Sequence, residues 1–366
     1  KIAIVGAGIA GLTLANLLKT NSNFEFVIYE KGEVFNFDGG FGVQLSVNGI
    51  SILNKIGFNQ LDKNEKYCPS KLDFYSINYN KICQLDLTKF NSENEKYTTL
   101  KRSILIKFLK DKLLSNSIIF RKKIDTVEQI NEKINIHFID GSSDKVDYLV
   151  VSDGVFSNTK SLIENKNIQP VYNGSIAVRS TIKPSADFNY EANDISLIML
   201  KNAHVVIYPI NKKGEMNLVC IIRQKFSKKI DPNLLIEKEI ISQNKTLENL
   251  FSNSLQSWPV YVTKKPYKSK YKNLFYLGDA FYAFPPTMAQ GAGQSIEGAK
   301  ELFDLLSQDT KDIQNIYFKK RLERIKLVDR RSKLNYFSFH LSNYLMSGIR
   351  NMLLKRITKS EKLLNR

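Results

Sequence analysis

The chain opens on a short apolar, β-branched run. Lys1 to Val5 (KIAIV) reads as a buried strand, Leu12 to Leu18 places apolar residues at helical spacing, and Phe24 to Tyr29 (FEFVIY) reads as a second strand. Two similar runs recur far downstream. Val146 to Val151 and Leu274 to Leu277 each read as a strand leading into a turn, and a helix over Ser295 to Leu306 follows the second. Between Ile168 and Lys265 the pattern becomes alternating: Gly174 to Ile182, Ile195 to Lys201, His204 to Pro209 and Met216 to Ile222, with Asn211-Lys212-Lys213-Gly214 turning the last two. Leu72 to Leu87 adds strands to the same sheet from an earlier excursion. From Ile313 the spacing is helical, over Tyr317 to Asn335 and again from Tyr336 to Leu364. The pattern predicts an α/β fold: a Rossmann-like βαβ region, an antiparallel sheet interrupting it, and helices at the end.

The turns between these elements carry chemistry. Gly6-Ala7-Gly8-Ile9-Ala10-Gly11 is a GxGxxG between the first strand and the first helix, and Glu30 ends the second strand. Gly6 makes the tight turn, Gly8 lets backbone approach a pyrophosphate, and Gly11 lets helix and strand pack. The helix N-terminus offers N–H groups to phosphate, and Glu30 can accept both ribose hydroxyls. An acid there disfavours a 2′-phosphate. After the third run comes Ser152-Asp153-Gly154. After the fourth come Gly278-Asp279-Ala280 and then Pro285-Pro286-Thr287-Met288-Ala289-Gln290-Gly291-Ala292-Gly293. Asp279, at a strand end, can hold a polyol hydroxyl. Gly291 to Gly293 open a helix whose N–H groups suit negative charge at the edge of a reduced flavin. The three segments together select FAD among dinucleotides.

Composition narrows this reading. Three cysteines and three histidines, widely spaced, predict neither a disulfide scaffold nor a metal site. The net charge of +18 comes from lysines spread along a chain rich in Lys, Asn and Ile. No nucleic-acid-binding motif accompanies them, so no nucleic-acid partner is expected; the excess charge favours an anionic cofactor and substrate. Ile2 to Leu18 falls short of the ~20 residues a membrane span needs. The cysteine usage and the lack of a targeting segment predict a cytoplasmic protein.

In motif order and distance, the chain resembles the class A flavoprotein aromatic hydroxylases, the group of p-hydroxybenzoate and salicylate hydroxylase, up to about residue 330. The resemblance implies a discontinuous FAD-binding domain (1–68, 97–168 and 268–312), a substrate-binding sheet domain (69–96 and 169–267) and C-terminal helices (313–366). It implies FAD held by Gly6, Gly8, Ala10, Gly11, Glu30 and Lys31, by Gly42, Val43 and Gln44 of the FGVQLSVN stretch beside the flavin, and by Arg102. Backbone at Val127 would meet the adenine. Asp153 belongs to the family's DG motif, and Gly278, Asp279, Gly291, Ala292 and Gly293 to its GD motif. Val47 stands where Pro is usual, Lys160 where Arg is usual, and Tyr282 where many relatives have His. Trp258 lies outside a WxWxI pattern, which disfavours a flavin halogenase. No second GxGxxG exists, so NAD(P)H would visit transiently.

The activity implied is NAD(P)H- and O2-dependent hydroxylation of a small aromatic substrate through a flavin C4a-hydroperoxide. Candidates at the reacting face are Tyr282 and the Pro286 backbone, with His204 as a third catalytic candidate. Arg179 could pair with a substrate carboxylate, and His204 and Tyr208, alternating on one face of HVVIYP, could orient or deprotonate a phenol. Two alternatives stand beside this: a membrane-associated hydroxylase or epoxidase of a polyprenylated or isoprenoid substrate, with membrane-surface contact through the basic C-terminal helix near Phe337 to Leu354, and a non-catalytic FAD-binding protein.

Overall fold

A computed structural model describes residues 1–35, 41–183, 192–226, 230–308, 310–341 and 343–359. The strands Leu274–Tyr276, Tyr148–Val151, Ile2–Val5, Phe26–Tyr29 and Ile118–Ile119 lie side by side in that order. Every pairing among them is parallel. Such strands are covered on both faces, which is why they read as continuous apolar runs. Ile2 and Ile4 pack with helix Ile9–Lys19 and helix Gly291–Ser307 on one side. Ala3 and Val5 pack on the other side against the hairpin strands Ile124–Ile130 and Lys133–Phe138.

A larger sheet roofs this nucleotide sheet. Its seven strands run in the order Gln256–Val262, Val171–Ile182, Met216–Arg223, Ala203–Pro209, Ile195–Leu200, Lys71–Tyr75 and Lys81–Asp86. The pairings are antiparallel except one: Lys71–Tyr75, from the early excursion, joins Ile195–Leu200 in parallel. One face of the roof packs on helix Pro232–Ile236 and the turns up to Phe251. The other face looks toward the nucleotide sheet. A small sheet of Gly42–Leu45, Thr98–Lys101 and Lys66–Tyr67 joins the two layers. Gly42 N–H donates to Asn217 Oδ1 at 2.7 Å, and Thr99 Oγ1 donates to the Pro209 carbonyl.

Helix Ile313–Phe339 runs from the nucleotide layer to the roof. At its start Gln314 Nε2 donates to the carbonyls of Ser269, Tyr271 and Leu274. In its middle Arg321 and Arg324 reach Glu301 and Glu297 of helix Gly291–Ser307. At its end Phe339 packs on Phe74, Leu197 and Met199 of the roof. A last helix, Tyr344–Ile357, follows; residues 360–364 of the expected helical stretch lie outside the described residues.

Candidate active site

A cleft of about 260 Å³ opens at the C-terminal ends of the parallel strands, where Gly6, Gly8, Glu30, Lys31, Arg102, Asp153 and Gly154 meet. Its geometry follows from the glycines. Gly6 sits at φ +97°, and a Cβ there would lie 2.8 Å from the Ser152 carbonyl oxygen. A Cβ on Gly11 would come within 2.2 Å of the Gly6 carbonyl, so only glycine lets helix and strand approach this closely. At Gly8 an added Cβ meets no protein atom within 4 Å: its open side faces the cleft. Glu30 is already oriented, accepting from Ala7 N–H (2.9 Å) and Gly32 N–H (2.8 Å). Ala10 is buried behind the loop, and a Cβ on Gly278 would lie 2.8 Å from its own.

The second and third segments close the cleft. Ser152 Oγ donates to the Val5 and Gly6 carbonyls, tying the Asp153 turn to the glycine loop. Asp153 Oδ1 is buried without a hydrogen-bond partner among the described residues. A buried carboxylate oxygen left open beside a phosphate-sized cleft fits a hydroxyl or N–H of a bound dinucleotide. Lys160 is buried; its Nζ donates to the Ala280 carbonyl at 2.8 Å, and burial lowers its pKa while Asp153 opposes that shift. It therefore links the Asp153 segment to the Asp279 segment. Asp279 keeps exposed surface at the strand end, near Arg102 of the cleft wall; the protein around it desolvates the carboxyl and raises its pKa to about 6, against the pull of Arg102. Arg102 starts helix Arg102–Asp111, its N–H donates to the Phe41 carbonyl at 3.0 Å, and its charge is felt by both Asp279 and Arg179. Gly291 heads helix Gly291–Ser307 with nothing against its Cα on the open side, while Ala292 packs on the core and Gly293 lies near Ser46. A cleft that brings together glycine backbone, a ribose acceptor and an orphaned acid, with the Asp279 carboxyl near Arg102 at its wall, presents a donor and acceptor set that fits FAD.

Beyond Arg102 lie residues of the roof, of which Arg179 is near enough for the two charges to interact. Arg179 pairs across the sheet with Val219, which pairs with Val206. Its Cζ lies 5.8 Å from the centre of the Phe41 ring, and Phe41 meets Trp258 edge-on at 5.2 Å. Burial lowers the Arg179 pKa, Tyr208 opposes it, and no carboxylate pairs with it among the described residues. A half-buried guanidinium without an acid is costly unless a ligand supplies one. Tyr208, one register row away opposite Asn217, has its phenol pushed up to about 12 by burial. Gln44 Oε1 accepts from Tyr97 Oη at 2.7 Å, and Gln44 also hydrogen-bonds Tyr208. A Cβ on Gly42 would strike Asn217 and Tyr208 at 2.7 Å, so the strand carrying Val43 and Gln44 approaches the roof this closely only because position 42 is glycine.

Three candidates lie elsewhere. His204 shares its strand face with Tyr208 but is 2% exposed beneath the end of the long helix. Its Nδ1 is 2.7 Å from His340 Nε2, and Phe339 packs on its ring. Burial lowers its pKa to about 3, so it is neutral and enclosed rather than poised as a base. Tyr282 packs with Ile325, and its hydroxyl engages Asp329 of the long helix, which places it in a structural interface. Val127 turns into the core and its carbonyl accepts from Tyr271 Oη at 3.4 Å; the cleft wall there is Lys122, Lys123 and Ile124. Pro286 begins a short turn, Pro286–Met288, anchored where Thr287 Oγ1 donates to the Ser332 carbonyl at 2.7 Å. Sequence reasoning missed Phe41, Tyr97, Asn217 and Trp258 as a group. Asn217 and Trp258 lie on different strands of the roof, Phe41 and Tyr97 immediately precede two strands of the small sheet, and the four are brought near one another by sheet pairings that no local pattern displays.

A glycine-loop cleft at the ends of a parallel sheet, with an arginine and aromatic residues of an antiparallel roof beyond Arg102, is the arrangement of an FAD-dependent monooxygenase of the aromatic-hydroxylase class. The model of the family described as "FAD binding domain" matches residues 1–326, and the chain belongs to that family. Among curated relatives, 3-amino-4-hydroxybenzoate 2-monooxygenase PtnB3 of Streptomyces platensis is 24% identical over 363 residues, covering 93% of this chain and 89% of that protein. The 6-hydroxynicotinate 3-monooxygenase of Bordetella bronchiseptica is 23% identical over 353 residues, covering 92% and 91%. The crystal structure of Klebsiella pneumoniae HpxO complexed with FAD and uric acid matches with a TM-score of 0.86 at 17% identity, over 97% of this chain and 92% of that one. A salicylate hydroxylase substrate complex matches at 0.81 and 17%, over 97% and 93%. At these identities the structural likeness establishes the fold.

Proposed function

We propose that this monooxygenase uses NAD(P)H and O2 to hydroxylate a small, electron-rich aromatic acid. The observation that carries the reading is Arg179: a cation with no acid partner among the described residues, set on the roof beside Phe41, Trp258 and Tyr208. Arg179 would hold the substrate carboxylate. Phe41 and Trp258, in edge contact with each other, would together form an aromatic wall against which the ring packs. Gln44 gives Oε1 to Tyr97, so its amide N–H faces Tyr208; the Tyr208 oxygen accepts and its own proton is free to donate to a ring oxygen. With a phenol at about 12, Tyr208 keeps that proton through the working pH range.

The Gly6, Gly8 and Gly11 loop and Glu30 would hold the adenosine and pyrophosphate of FAD, Asp153 and Asp279 the remaining hydroxyls, and the N-terminus of helix Gly291–Ser307 the isoalloxazine edge. FAD, when bound, supplies the electron transfer from NAD(P)H and the activation of dioxygen. Arg102 spans the two parts of the site, sharing its field between Asp279 and Arg179.

The relatives named for acting on aminohydroxybenzoate and hydroxynicotinate support an aromatic acid. Anaerobic stopped-flow reduction of the flavin by NADH and by NADPH, with hydroxybenzoates, aminohydroxybenzoates and hydroxynicotinates, tests it. One acid should accelerate reduction strongly and gain one oxygen atom on aeration. No reduction with any ligand would overturn it. A second reading, oxidation of an isoprenoid-bearing ring, is favoured by the outward apolar face of the last helix; a neutral prenylated phenol outperforming every acid would establish it.

A further inference from the structure

The last helix has its polarity inverted. Arg350, Leu354 and Thr358 face the protein: Arg350 Nη1 donates to the Ser338 carbonyl at 3.2 Å, Leu354 packs beside Phe74 and Met199, and Thr358 engages Cys83 on the roof's edge strand. The opposite side is apolar and bare. Leu345 is 74% exposed, Met352 64%, Ile349 50% and Leu353 49%, with Met346 and Ile357 beside them. At ~100° per residue these six span an arc of roughly 140°. Isolated exposed apolar residues are common, but a contiguous stripe of six marks an interaction surface.

Charge selects the occupant. Residues 343–359 contain Arg350, Lys355, Arg356 and Lys359 and no acid. Arg356 projects from the apolar arc itself and is exposed. A second copy docked through the same face about a two-fold axis would press Arg356 toward its counterpart with no carboxylate on either helix to neutralise it. An anionic bilayer meets both features. The apolar side chains enter the acyl boundary, while Arg356 and Lys355 reach up to lipid phosphates along their flexible stems. Among the described residues no helix is long and apolar enough to cross a membrane, so the helix would lie in the interface.

We propose that helix Tyr344–Ile357 docks this enzyme on anionic phospholipid bilayers. The inference is independent of which ring the enzyme hydroxylates. The FAD-loaded protein is sedimented with vesicles of phosphatidylcholine alone and with vesicles carrying roughly 30% phosphatidylglycerol. The anionic vesicles should bind it at least about tenfold more strongly, with the excess lost at high salt. The triple variant Ile349→Ser/Met352→Ser/Leu353→Ser should lose about tenfold or more of that partition. Lys355→Glu/Arg356→Glu should erase the preference for anionic lipid. Both variants touch only exposed positions, so flavin content and thermal midpoint should stay unchanged, which separates lost docking from misfolding. Absence of binding to either vesicle, or binding that the triple variant retains, overturns the proposal. So does a concentration-dependent dimer in solution that the triple variant abolishes while vesicle binding stays absent.

Discussion

At the glycine end of the cleft, backbone lines the proposed site; under the roof, side chains do. Gly6, Gly8 and Gly11 lie within six consecutive residues and shape their surroundings by lacking a Cβ. Arg179, Tyr208, Gln44 and Trp258 come from strands, and Phe41 immediately precedes one; they are spread over more than half of the chain and meet through cross-strand register. A backbone site is intolerant of any added atom. A side-chain site tolerates many substitutions structurally and changes what it binds.

That contrast can be broken most forcefully at Gly11. Gly11→Ala should give little or no flavin-containing soluble protein, because the new methyl has 2.2 Å to a backbone oxygen that cannot move without unseating the first strand. Gly8→Ala, three residues earlier, should fold normally and bind FAD on the order of a hundredfold more weakly, since its methyl enters only the cleft. Thermal midpoints and flavin-to-protein absorbance ratios of the two variants distinguish these outcomes.

Under the roof, Arg179→Met should leave flavin content and fold intact and raise KM for an aromatic acid by about 100-fold, the cost of one charge-assisted pair. Arg179→Lys should recover only part of it, having lost the planar fork. Loss of flavin in either variant would break the separation between the two ends.

The histidine pair offers a smaller test. Burial lowers the pKa of His204 to about 3 and of His340 to about 2, from an ordinary 6.5. The unfolded chain therefore binds more protons than the fold between these values. Their stabilising effect is complete above about pH 7 and declines as pH falls below 6.5, by about 1 kcal/mol per histidine per pH unit. Denaturant titrations of wild type and of His204→Phe/His340→Leu between pH 7 and 5 should show that slope in the wild type alone, with turnover little changed. The smallest effect is expected for Tyr97→Phe. It frees Gln44 to rotate and should cost about tenfold or less in kcat/KM, by about 1 kcal/mol for one neutral hydrogen bond.

The same contrast explains what could be read from sequence. The parallel strands, the glycine loop, Glu30, Asp153 and Asp279 were legible because each depends on neighbours a few residues away. The antiparallel roof was legible from alternation, down to the turn at Asn211 to Gly214. The parallel junction at Ile195–Leu200 was not, because alternation says nothing about strand direction. His204 was misplaced for a related reason. Alternation correctly put it on the face of Tyr208, but it could not show that the helix ending at Phe339 covers that half of the face. For Val127 and Tyr282 the motifs fixed a strand and a loop, while contacts with Tyr271 and Asp329, which no local pattern displays, decide where these groups lie in the fold.

The parallel junction also bears on how this chain is made. Leu72 finds its strand partner at Ile195, about 120 residues later. At a ribosomal pace of ~5–20 residues per second, the edge strands wait on the order of 6–25 s as an unpaired hairpin before their partner emerges. The hairpin carries Lys81, which pairs with Asp73 within it, and Lys71, which meets Asp194 only once the roof is complete, and lysines on an unpaired strand discourage edge-to-edge aggregation. Fragments that stop before Ile195 would expose that edge permanently. Expression as separate halves should therefore give insoluble product, whereas the intact chain seals the hairpin inside a single molecule.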